Sequence, residues 1–145
     1  MTEIAFHFNV ADKFLYACRL LRKAYASGAK VAVTAEPEVL GELDQLLWSF
    51  SATEFVPHYR AGYGTDQLVS RSVLLVDSPA ACAHHGVLVN LGMQIPIEFE
   101  RFERFIEVVT HGSDERLAAR TRWKHYADRG YSMQRHDITA AGEGV

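Results

Sequence analysis

Cysteine is scarce. Cys18 and Cys82 are the only two in 145 residues, too few and too widely spaced for a disulfide framework or a CxxC metal or redox pair. Long apolar runs are missing as well: no uncharged stretch approaches the ~18 residues of a membrane span. The opening MTEIAFHFNVADK lacks the basic start and apolar core of a signal peptide. The expectation is a cytoplasmic chain with no membrane partner. Positive charge is not in excess, because 15 Lys and Arg face 18 Asp and Glu for a net −3. A protein that coats duplex DNA through a global basic field is thereby excluded.

Chemical motifs are equally sparse. No GxGxxG, GxxxxGK[ST] or GxSxG occurs, so neither the usual phosphate cradles nor a hydrolase nucleophile turn is encoded. The close pair Gly62-Tyr-Gly64 does not stand between a strand and a helix start. Seven histidines are present. His84 and His85 are adjacent, so in a strand they would point to opposite sides, and neither has a partner at helical ligand spacing. No metal, cofactor or catalytic residue is expected.

What is present suits one α/β domain over residues 1–139, with 140–145 a frayed tail. Ile4, Phe6 and Phe8 alternate with Glu3, Ala5 and His7, the period of a strand. Asp12 is placed to cap a helix that carries Phe14, Cys18, Leu21 and Tyr25 to Gly28. Lys30–Thr34 reads as a β-branched strand. A second helix begins near Pro37 and turns Val39, Leu43, Leu46, Leu47 and Phe50 inward. Residues 58–70 are too irregular for an element and read as a loop. Ser72–Val76 and Gly86–Leu91 are continuous apolar strands, expected to be buried on both faces. Phe99, Phe102 and Phe105 recur every third residue before a strand ending at Val109. The last helix is expected from an N-cap at Ser113 to Gly130. Strand–helix–strand units of this size predict a Rossmann-like, mostly parallel sheet flanked by helices, without a nucleotide-binding glycine loop.

Two features rise above this background. Residues 113–130 hold Arg116, Arg120, Arg122, Lys124 and Arg129 against three acids, a balance of +2 that leaves −5 on the remainder. Arg116, Arg120 and Lys124 form one i, i+4, i+8 ridge bordered by Trp123. Guanidinium groups beside a flat aromatic suit an acidic peptide with an apolar end. The ordinary alternative is a solvated face with Trp123 turned into the core. The second feature is LLWSF followed by FVPH. Trp48 and Phe50 lie two positions apart, so both cannot face one core, and an exposed aromatic marks an interface. Five acids and no Lys or Arg lie between Val31 and Tyr59.

These blocks, LDQLLWSFSATEFVPHYRAGYG (Leu43–Gly64) and RLAARTRWKHYADRGYSM (Arg116–Met133), resemble the chi subunit of the bacterial DNA polymerase III holoenzyme. FHFNV, KVAVTAE, VLLVDSP, VLVNLG and FERFIEVV extend the resemblance over nearly the whole chain. It implies a non-catalytic replisome subunit joined to the clamp loader through the psi subunit. A second implied partner is the acidic, Pro-Phe-ended C-terminal tail of single-stranded DNA-binding protein (SSB), giving an indirect association with single-stranded DNA. The implied psi contacts fall on Trp48, Phe55 and Pro57. The implied SSB-tail site falls on Arg116, Arg120, Trp123 and Lys124, with Val109 as its floor. Two rival readings are a small nucleotide- or metabolite-binding α/β enzyme, and direct binding of single-stranded DNA by the basic helix.

Overall fold

The computed structural model describes residues 1–50, 56–61, 73–79, 82 and 84–141. Their elements run β1 (Glu3–Val10), α1 (Lys13–Ala26), β2 (Val31–Thr34), α2 (Pro37–Ser49), β3 (His58–Ala61), β4 (Val73–Val76), β5 (Val87–Asn90), β6 (Arg104–Thr110), α3 (Ser113–Asp128), β7 (Met133–Asp137) and α4, a helical turn (Ile138–Ala141). A single 3-10 turn at Phe99–Arg101 precedes β6. The strands form one seven-stranded sheet in the order β3-β4-β2-β5-β6-β1-β7. Every pairing is parallel.

Connection direction divides the helices between the two faces. The β1-α1-β2 and β2-α2-β3 crossovers run toward the β3 edge, whereas β6-α3-β7 runs toward the β7 edge. With one crossover hand, α3 must then lie on the face opposite α1 and α2. The core shows this split. Cys18 and Leu21 of α1 and Leu40, Leu43 and Leu47 of α2 pack with Val33, Leu75 and Val89. On the other side Ala119 and Tyr126 of α3 pack with Phe6, Leu88, Phe99 and Phe105. β2 and β4 are buried throughout, as continuous apolar strands covered on both sides should be. Cys18 and Cys82 are buried free thiols in different layers. Burial raises both, Cys18 to about 11.

Several local expectations hold. Asp12 caps α1, its carboxylate accepting from the Leu15 N–H at 3.1 Å, an arrangement generally contributing about 1 kcal/mol. Gly130, at φ +80°, closes α3 with its N–H donating to the Ala127 carbonyl, a conformation glycine adopts without a Cβ clash.

Three expectations are corrected. Ser113 is the first residue of α3 rather than its cap; Gly112 holds the cap position with no side-chain bond. Residues 58–61 are a strand, not the start of a loop. Buried His58 anchors it, with Nδ1 2.8 Å from the Val56 carbonyl and Nε2 3.2 Å from the Asp44 carbonyl, and β4 supplies the ladder. Gly62 and Gly64 lie outside the described residues. Finally, α3 is not the last element. The polar segment MQRHD forms β7 because β1 offers it an open edge, pairing Ile4 with Met133 through Phe8 with Asp137.

Candidate functional site

The buried side chains of α3 are Ala119, Arg122 and Tyr126, with Trp123 half-buried beside them. Polar contacts therefore share with aromatic ones the setting of its rotation. At the centre is Glu107 of β6, fully buried. Its carboxylate accepts from Arg122 Nε at 2.9 Å, the Tyr126 hydroxyl at 2.7 Å and Asn90 Nδ2 at 2.9 Å. Arg122 Nη1 donates onward to the Met93 carbonyl at 2.9 Å. Burial pushes the Glu107 carboxyl up, while the Arg122 charge and these donors oppose the rise. The Tyr126 phenol is driven upward by burial and by the Glu107 charge, so it stays a donor. This network ties β5, β6 and α3 together and leaves one helix ridge facing outward.

The consequence for charge is a correction. Arg122, one of the five cations assigned to the basic helix, is buried and neutralised by Glu107. Arg116 and Arg120 are exposed and line a cavity of about 330 Å³ with Trp123 and Val109. Four of the five residues expected at an acidic-peptide site thus converge. Lys124 is exposed on the same helix but does not line the cavity.

Five further lining residues, Phe6, Phe8, Asn9, Ala119 and Arg135, were not anticipated from sequence. Phe6 meets Trp123 edge-on at 5.1 Å, so Trp123 is at once core and cavity wall, half-buried in the α3 layer. Arg135 of β7 supplies the third cation. Its guanidinium lies 5.1 Å from the Phe8 ring centre and 6.0 Å from that of Trp123, an arrangement that holds charge over aromatic faces. Asn9 reaches the site through an irregularity in β1, where its φ of +62° shifts the register between His7 and Val10. Asn tolerates this left-handed geometry better than most residues. Only the polar, strand-like character of MQRHD could have signalled Arg135, and no apolar alternation marks it. Three guanidinium groups around an aromatic, apolar floor can receive carboxylates at the rim and one ring or aliphatic group in the interior.

The second patch is on the opposite side of the sheet. Trp48 is 60% exposed at the end of α2 and lies against the His58 ring with centroids 4.8 Å apart. Phe50, by contrast, packs on the α1/α2 core beneath Arg22, so the two aromatics divide as their spacing requires. His58 links Trp48 to half-buried Pro57 and exposed Tyr59. Phe55 lies outside the described residues.

Open α/β sheets bind nucleotides at the carboxyl ends of their strands. There, a cavity of about 310 Å³ adjoins β2, β4 and β5, lined by Glu36 and Asp77 and, among the described residues, by no Lys, Arg or His. Glu36 itself occupies the start of α2, accepting from the Met93 N–H at 3.1 Å. A phosphate brought to that helix start would meet carboxylates, which disfavours the nucleotide-enzyme alternative. No group of three or more potential metal-ligating side chains occurs among the described residues, and no described helix is long and apolar enough to cross a membrane.

Comparison with known proteins places the chain in a family. A DNA polymerase III subunit chi of Pseudomonas aeruginosa is 34% identical over 143 residues, covering 95% of this chain and 98% of that protein. That of Haemophilus influenzae is 27% identical over 84% of this chain and 85% of its own length. The Escherichia coli K12 protein is 24% identical over 80% and 79%. The sequence model of the DNA polymerase III chi subunit (HolC) family matches residues 1–134, from the first strand through the start of β7. The chain therefore belongs to the DNA polymerase III chi subunit family.

Proposed function

We propose that this chain is a non-catalytic replication subunit that holds the acidic C-terminal tail of SSB on α3 and engages the psi subunit through the Trp48 patch. The observation that carries the first contact is the meeting of Arg116, Arg120 and Arg135 around the floor of Phe6, Val109 and Trp123. The terminal phenylalanine of the tail packs beside Trp123 and Val109, while its carboxylate and the upstream aspartates meet the guanidinium groups. One short peptide in a half-open cavity gives micromolar affinity, roughly −8 kcal/mol. Several tails on one SSB assembly raise the effective affinity while each contact exchanges. Polymerase is thus kept at coated single strands without contact between this chain and DNA.

The test is fluorescence anisotropy with a labelled, aspartate-rich peptide ending in Pro-Phe. Removal of the final Phe should weaken binding at least tenfold, since it empties the apolar part of the cavity. Equal affinity of the two peptides would overturn this reading. Binding should also fall as salt rises, because the charged rim is exposed.

For the psi contact, Trp48→Ala should weaken the complex about thirtyfold, the scale of an aromatic interface anchor. The melting temperature should scarcely move, because the ring is mostly solvent-exposed. Calorimetric titration with psi decides it; unchanged affinity would remove Trp48 from the interface.

A further inference from the structure

Parallel sheets are ordinarily covered on both faces. In this sheet α3 covers β1 on one side, while on the other α1 leads away from β1 toward β2. The β1/β7 end of the α1 face is therefore left without a full layer. An elongated cavity of about 450 Å³ occupies it, between α1 and β7 over a floor of β1 and β6. Ile138 lines it at the carboxyl end of the strands, and Ala29 and Val87 line the opposite end.

Its lining is apolar within and cationic around. Ala5 of β1 presents only a methyl group to the floor, beside Ile106, and Leu20 and Ala24 of α1 form one wall. Arg19, Lys23 and Arg104 also line it, and among the described residues Glu3 is the single acid doing so. A polar pair stands in the wall: His7 Nδ1 is 2.6 Å from the Tyr16 hydroxyl. The His7 ring also contacts the His136 ring at 5.0 Å. Burial, then the His136 and Arg104 charges, push His7 down to about 4, so at neutral pH the pair adds no positive charge of its own from His7.

We infer that this cavity binds a small organic anion, a carboxylate or phosphate carried on an apolar body, with Lys23 and Arg104 holding its head. The size is that of small-molecule sites, which are mostly apolar with a few placed polar groups. Lys23 and Arg104, which line it against Glu3, set the sign of the ligand's charge. The site lies on the face opposite the α3 cavity and does not depend on the reading given to that cavity.

The experiment uses 1-anilinonaphthalene-8-sulfonate, an aromatic anion that fluoresces when bound to apolar surface, with the full chain. Saturable binding is expected, weakened at least tenfold in the Lys23→Glu/Arg104→Glu double variant. Loss of one charge-assisted contact is generally of that order. Ala5→Phe should abolish it by filling the floor. Ala24→Phe narrows the same space from the helix and provides the test if Ala5→Phe fails to fold. Displacement by phenyl phosphate assigns an aryl-phosphate type of ligand, and displacement by octanoate a fatty carboxylate. Dye binding that is unsaturable, or unchanged in these variants, or displaced by neither competitor, overturns the inference.

Discussion

Glu107→Ala should lower stability by about 3–5 kcal/mol, the usual cost of stranding one member of a buried ion pair. In a chain of this size that corresponds to a fall in melting temperature on the order of 10 °C. The reason lies in what is left behind. Arg122 keeps its charge in a buried site with only the Met93 carbonyl. The Tyr126 hydroxyl loses its acceptor, and Asn90 retains only the Gln94 and Gly92 backbone. The paired replacement Glu107→Leu/Arg122→Met should be less damaging than Glu107→Ala alone, because no buried charge is then stranded. Thermal unfolding of both variants decides the matter. If the double variant is the less stable one, the pair contributes directly rather than through the penalty of an orphaned charge. Because the same network helps to fix the rotation of α3, Glu107→Ala should also weaken peptide binding at sites it does not touch.

Charge reversal at Arg120 carries the second large effect. Arg120→Glu removes one cation from the α3 cavity and places a carboxylate where, in the proposed complex, the tail's own carboxylates approach. A charge-assisted hydrogen bond is worth about 1.5–3 kcal/mol, and repulsion adds to its loss. A hundredfold weakening is expected, roughly 2.7 kcal/mol. Lys124→Glu changes net charge identically on the same helix, yet Lys124 lies outside the cavity lining. Its effect should stay within about threefold, the scale of an exposed charge. Anisotropy titrations of the two variants at one ionic strength separate the possibilities. Equal losses would mean that diffuse attraction, not a formed pocket, holds the tail. Arg120 is exposed, so unfolding does not confound the comparison.

The contrast between Lys124 and Arg135 shows where sequence reasoning reaches its limit. Both are cations near Trp123 in an intuitive sense, and helical spacing favours Lys124. Spacing specifies which residues share a ridge, but not how far around the helix a cavity extends. Arg135 enters because β7 pairs with β1, a contact between segments more than a hundred residues apart with no local signature. Arg122 fails for the same reason in reverse. Its neutralising partner, Glu107, is on another element, so counting charges along α3 overstates the outward field.

Local rules determined much of this protein unaided. Alternation marked β1, a β-branched run marked β2, apolar continuity marked β4 and β5, and Asp12, Gly28 and Gly130 marked helix ends, because each signal acts within a few residues. Scarcity was equally informative: without phosphate loops or paired cysteines, what stood out was an aromatic-edged basic helix together with Trp48 and Phe50, which cannot both face one core. Tertiary structure alone decided strand order, the division of helices between faces, the edge strands β3 and β7, and which cations reach the α3 cavity. Those outcomes depend on hydrogen-bond ladders and buried charge pairing between distant segments. No window along the chain contains both partners of such a contact.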